Sequence, residues 1–204
     1  MHTYNKTLTV PKGLGDVIGM TLRRSCIKES VSVRPIGFLL EDGGNMVHSK
    51  DHIVEDMISV CTNLAKSQFS TTSHDELIIV QCDFVKQINL SDISKTGQVT
   101  LLSEDRRLLT SLNNNVIKFS IAFRNTSGNF SNAENKLFLQ DKVSNSSRYV
   151  MTSSRHTAIE AFSYTVKSTD EEDILDINYT VNNDDQEVLN KTISRLANIF
   201  NNLA

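Results

Sequence analysis

The sequence predicts an α+β fold. Three observations carry it. Helical spacing appears near the start of the chain, after the segment IGFLL, and at the end; alternating apolar runs lie between, at irregular separations; and no internal repeat is visible. A doubly wound α/β sheet calls for regular alternation of strand and helix, which this chain lacks.

Thr7 to Val10 (TLTV) is a short β-type run closed by Pro11-Lys12-Gly13. The helix that follows holds GDVIGMTLRR, Gly15 to Arg24, and ends near Glu29 or Ser30. Its apolar residues Ile18, Leu22 and Cys26 share one stripe, Gly15 and Gly19 beside them let another backbone come close, and Arg23 and Arg24 project elsewhere. Ile36 to Leu40 reads as a buried strand, ended by the turn Glu41 to Asn45. From Ile53 the apolar positions Ile53, Met57, Val60, Cys61 and Leu64 fit a helix and not a strand, with Ser49 or Asp51 placed to cap it.

Glu76 to Cys82 and Val116 to Phe123 are the next strands. In the second, Ile117, Phe119, Ile121 and Phe123 alternate with Lys118, Ser120 and Ala122, which predicts one core face and one open face. Arg124 to Ser147 is polar and lacks periodicity, so it reads as a long loop with Lys136 to Leu139 as a short strand within it. Phe162, Tyr164 and Val166 alternate, as do Leu175, Ile177, Tyr179 and Val181 beyond the acidic bend Asp170 to Asp173; both are half-buried strands. After Asn183-Asp184-Asp185, a capping segment, Leu189, Ile193, Leu196, Phe200 and Leu203 recur at steps of four, three, four and three. That is a heptad-type seam, with Lys191 and Arg195 facing away, and it suits either the chain's own core or a second chain.

Composition narrows the function. The 204 residues are 39% hydrophobic and 22% charged, enough for one or two modest cores, and the net charge of -3 supplies no basic field for gripping nucleic acid. No window approaches the roughly 18 apolar residues of a membrane span, and MHTYNKTLTV has no apolar signal core, so a soluble protein is expected. Cys26, Cys61 and Cys82 are widely spaced and lack the pairing of a zinc site, and sequons such as Asn5-Lys6-Thr7 are what an Asn- and Thr-rich chain produces by chance. His48 and His52 stand four apart but have no third ligand in view. Phosphate loops, dinucleotide fingerprints, nucleophile elbows and HExxH motifs do not occur. No catalytic residue, metal or cofactor is expected, and a binding or assembly role is favoured.

The segment GDVIGMTLRR resembles the first helix of the RNA polymerase alpha subunit, whose motif runs roughly G-[HY]-T-[LI]-[GA]-N-[AS]-[LM]-R-R. The resemblance continues without insertion to Asp56, through Ile53, Glu55, Asp56, Met57, Asn63 and Leu64, which match a V-x-E-D-I…N-L run. FSNAENK (Phe130 to Lys136) looks like the family's Y-V-P-A-E-x-N-K loop, and TAIEAFSYTV (Thr157 to Val166) looks like its S-P-V-x-x-V-x-Y-x-V segment. DILDINYTV and the seamed helix take the places of the last strand and dimerisation helix. Asp16, Val17 and Met20 depart from the motif's polar residues, Ala158 replaces a proline, and Asn132 replaces another, so the family's contacts at those points are not carried over.

The resemblance implies a discontinuous dimerisation domain, residues 1–32 plus 168–204, with an α+β domain, 33–167, inserted into it. It implies a homodimer that scaffolds the β and β′ subunits of a DNA-directed RNA polymerase, touching DNA only through the complex and no membrane. The dimer contact would be Ile18, Gly19, Leu22, Leu189, Ile193, Leu196, Phe200 and Leu203. Arg23, Arg24, Ile159 and Tyr164 would meet the large subunits. Ending at Ala204, the chain is expected to lack the small C-terminal domain that meets upstream DNA. The expected location is the cytoplasm, or a plastid if the protein is organelle-encoded. The alternatives are an alpha-like subunit that pairs with a different chain and an unrelated α+β interaction domain.

Overall fold

The computed structural model describes residues 1–41, 53–112, 116–182 and 186–201. In chain order the first elements are β1 (His2–Pro11), α1 (Gly15–Glu29), β2 (Ser32–Leu40), α2 (Met57–Lys66), β3 (Phe69–Ser70) and β4 (Leu77–Phe84). Next come β5 (Gln87–Asn89), α3 (Leu90–Ile93), β6 (Thr100–Leu101), β7 (Arg107–Thr110), β8 (Ile117–Thr126), β9 (Gly128–Phe130) and α4 (Asn132–Gln140). The chain finishes with β10 (Val150–Met151), β11 (Ser154–His156), β12 (Ile159–Ser168), β13 (Glu172–Val181) and α5 (Val188–Asn201). The fold is α+β, and the chain divides into two units: Met1–Val31 with His156–Ala204, and Ser32–Arg155.

The terminal unit is an antiparallel sheet of order β1-β13-β12, with α1 and α5 on one face. Period-two alternation sorts its side chains. Leu175, Ile177, Tyr179 and Val181 are buried beneath the helices together with Ile159 and Phe162. The opposite face is polar: the Thr7 hydroxyl donates to Asp176 Oδ1 at 2.9 Å and Lys167 Nζ to Asp176 Oδ2 at 2.8 Å. Pairing with β13 runs from His2 opposite Val181 to Pro11 opposite Glu172, so β1 begins well before the predicted TLTV run. Its Tyr4 and Leu8 pack against the core, a contact that polar neighbours conceal in the sequence.

In the second unit the main sheet runs β4-β8-β2-β3-β6, with β10 also paired to β2. One apolar layer joins Val33, Phe38 and Leu40 of β2 to Ile117, Phe119 and Ile121 of β8 and to Met57, Val60 and Leu64 of α2. A second layer, on Ile36, Leu39 and Ala122, is closed by Leu139 of α4 and by Tyr149. Alternation gives β2 a face toward each layer, and the register shift between Pro35 and Gly37 reverses the parity, so that Val33 lies in the same layer as Phe38 and Leu40. Proline has no amide to donate, and a bulge accommodates it.

Several predicted boundaries move. The helix expected from Ile53 begins at Met57, capped by Asp56, whose Oδ1 accepts the Ser59 amide at 2.7 Å. Ile53 instead forms a bridge to Ser111, while Ser49, Asp51, His48 and His52 fall outside the described residues. The second face of β8 is not open: Ser120 and Ala122 are buried under the layer that contains α4. The predicted loop at Arg124 to Ser147 contains α4, so Lys136 to Leu139 is helix, not strand. Ser131 starts it by a reciprocal capping box, its hydroxyl accepting the Glu134 amide while Glu134 Oε2 accepts the Ser131 amide at 2.7 Å. Finally, residues 156–167, assigned from the sequence to the inserted domain, belong to the terminal unit, because β12 is paired along β13.

Candidate assembly surface on the terminal helices

Two glycines seat α1 on its sheet. A Cβ at Gly15 would lie 2.5 Å from Val166 Cγ1, and one at Gly19 would lie 2.5 Å from the Tyr164 ring. Only glycine permits that approach. The helix has no side-chain cap of its own at Leu14; Asp173 of β13 supplies one, its Oδ2 accepting from Gly13 N at 2.8 Å and Gly15 N at 3.0 Å. Hydrogen bonds from the Ser168 hydroxyl and from the Gly15 and Gly13 amides, with Lys12 nearby, hold the Asp173 carboxyl below the ordinary range. At the far end, Ser30 Oγ accepts the amides of Ala158 at 3.0 Å and Ile159 at 3.2 Å. Both ends of α1 are thereby fastened to the sheet.

Alongside α1 lies α5. Its entry is set by the Tyr179 hydroxyl donating to the Gln186 carbonyl at 2.8 Å, and Asn190 Oδ1 accepts a hydrogen bond from Lys6 Nζ of β1. The predicted seam turns inward on this arrangement. Leu189 is 0% exposed, and Ile193, Leu196, Ile18 and Leu22 are half-buried against the same core. The side chain of Phe200 and all of Leu203 fall outside what is described.

Three expected contact residues are internal to the terminal unit. Gly19 is covered by the Tyr164 ring, Leu189 is core, and Ile159 is 0% exposed among β13 side chains, so none presents a surface to another chain. Tyr164 is half-buried, its hydroxyl donating to the Asp16 carbonyl at 3.4 Å. Arg23 and Arg24 do reach solvent. What the sequence reading missed is the apolar exposure on the other side of α1: Leu14 is 45%, Val17 62% and Met20 46% exposed. The available signal was Val17 and Met20 themselves, apolar residues where the resembled motif is polar.

Elsewhere the chemistry is sparse. Among the described residues no three His, Cys, Asp or Glu side chains gather as metal ligands, and no helix is long and apolar enough to cross a membrane. An apolar cleft of about 260 Å³ in the second unit is lined by Met57, Ile58, Cys61, Ala65, Val150 and Met151. Burial pushes the Cys61 thiol up to about 11, so it carries little thiolate near neutrality. Cys26 and Cys82 are raised to about 11 by the same cause, with Asp83 and Asp92 adding to the shift at Cys82.

No family model matches this chain. No curated protein shows significant similarity to it.

Proposed function

We propose that this chain is a non-catalytic, alpha-type assembly subunit of a multisubunit DNA-directed RNA polymerase. It would homodimerise and hold the β and β′ subunits, leaving nucleotidyl transfer and DNA contact to them, in the cytoplasm or in a plastid. The observation that carries the reading is the union of the two chain ends. Residues from the first and last segments form one layered unit in which α1 and α5 lie together on one face of a single sheet, while the intervening chain builds a unit of its own. That is the discontinuous organisation the motif resemblance implies. Half-buried Ile18, Leu22, Ile193 and Leu196, with exposed Val17 and Met20, offer apolar surface to a twin. The exposed arginines of α1 offer cations to the large subunits.

Co-expression with the cognate β and β′ chains, followed by mass measurement of the native complex, tests this. Two copies of the chain with one β and one β′ are expected. One copy beside a different alpha-like chain would replace the homodimer with a heterodimer, and failure to co-purify with either large subunit would sink the proposal.

A further inference from the structure

The short strand β10 presents a sheet edge beside the apolar cleft of the second unit. Among the described strands it pairs with β2 alone, Val150 opposite Phe38 and Met151 opposite Gly37. The Thr152 amide donates to the Ile36 carbonyl at 2.8 Å, so alternation along the ladder turns the N–H and C=O of Met151 away from β2. Val150 to Ser153 carries neither charge nor proline, the residues that guard such an edge elsewhere. The edge is also held in place: the Thr152 hydroxyl donates to the Pro35 carbonyl at 3.1 Å, and Asn135 Nδ2 donates to the Thr152 carbonyl at 2.8 Å. Side-chain parity fixes what lies on each side of it. The Met151 sulfur lies over Gly37, 3.1 Å from where a Cβ would stand, in the layer closed by Tyr149. Val150, opposite Phe38, faces the other layer, which α2 covers. There the cleft of about 260 Å³ opens between β10 and the α2 residues Met57, Ile58, Cys61 and Ala65, and none of its lining residues carries a charge.

We infer that β10 takes up an extended peptide segment of another protein as an antiparallel strand, with apolar side chains at alternate positions seated in the cleft. The central residue of the segment lies opposite Met151 and exchanges both main-chain hydrogen bonds with it. Its own side chain falls on the Met151 face. The side chains just before and just after it fall on the Val150 face, where α2 forms the far wall of the cleft. The outward donor and acceptor of Met151 select an extended main chain, and the uncharged lining selects apolar side chains over an ionic ligand. With one hydrogen-bonded pair and two seated side chains, an isolated peptide should bind with a Kd on the order of 100 μM. The cleft belongs to the second unit, so the inference stands apart from the assembly role proposed for the terminal helices.

Titration calorimetry on the purified full-length chain tests it. The probe is an acetylated, amidated pentapeptide with valine second, leucine fourth and threonine elsewhere. N-methylation of its central amide removes the donor to the Met151 carbonyl and should raise Kd about tenfold. Exchanging the leucine with the central threonine puts the two apolar side chains on opposite faces and should do the same. Ile58 is 64% exposed, so Ile58→Glu should leave the thermal midpoint unchanged while raising Kd about tenfold by setting a carboxylate in the cleft. Bound peptide should slow alkylation of Cys61 by N-ethylmaleimide about tenfold when present at ten times its Kd, and leave Cys82, which does not line the cleft, unchanged. Equal binding of all three peptides marks an unselective apolar patch and overturns the inference, as does binding that leaves Cys61 unprotected or no binding at millimolar peptide. Self-association that Ile58→Glu abolishes, with no peptide bound, gives the cleft to a second copy and overturns it too. None of these outcomes decides whether the chain co-purifies with β and β′, which the assembly proposal requires.

Discussion

The carboxylate of Asp173 accepts a hydrogen bond from the Gly15 amide at 3.0 Å, across 158 positions of sequence. One strand near the chain's end thereby caps the helix near its beginning. Asp173→Ala is expected to lower the thermal midpoint, and Asp173→Asn to lower it less, because an amide oxygen in the place of Oδ2 still accepts from the Gly13 and Gly15 amides, though without the carboxylate's charge. The pH dependence has a definite sign. A carboxyl whose folded pKa is held below its unfolded value stabilises the fold above the unfolded pKa, and that contribution disappears as pH falls through the folded value. Urea midpoints should therefore fall for the parent as the solution is taken below pH of about 4, and Asp173→Ala should show a shallower fall over that range.

Gly19 under the Tyr164 ring makes a second prediction, decided by two opposing magnitudes. Replacing a mid-helix glycine gains up to about 1 kcal/mol in helix propensity, while forcing a side chain into a filled site costs about 1–3 kcal/mol. With the ring carbons only 2.5 Å from where a Cβ would stand, the clash dominates. Gly19→Val should destabilise the protein in urea unfolding, and Gly19→Val/Tyr164→Ala should be less destabilised than the sum of the single changes.

Leu189 separates a core role from a contact role. Being wholly buried beside Val188 and the β13 side chains, it should cost about 2–5 kcal/mol when truncated to alanine. Native-state dimerisation, measured at a temperature where the variant is still folded, should be unchanged. A loss of dimer without loss of stability would return Leu189 to the interface.

Ser131 tests the helix that the loop-like composition concealed. Ser131→Ala removes the hydroxyl that accepts the Glu134 amide and is expected to cost about 1 kcal/mol. Hydrogen exchange should quicken selectively at the amides of Asn132 to Asn135, the first turn of α4.

Much of the architecture was legible because it follows from local periodicity. The stripe on α1, the alternation in β8, β12 and β13, and the heptad spacing of α5 each report one face of an element, and each became that element. The helix α4 was not read from the sequence: the polar composition around Ser131 and Glu134 pointed to a loop, and the capping box they form went unread. Which partner each face meets is a different kind of information. The spacing of Leu189, Ile193 and Leu196 is the same whether the seam covers a sheet of its own chain or a second molecule, and only the placement of α5 beside α1 over β13 turned Leu189 inward. Likewise nothing local marks the full length of β1, assigns β12 to the terminal unit, or links Asp173 to Gly15. Those depend on hydrogen bonds and contacts between separate segments, several of them at opposite ends of the chain, so periodicity determined the elements, and tertiary pairing decided which of their faces remain for another chain.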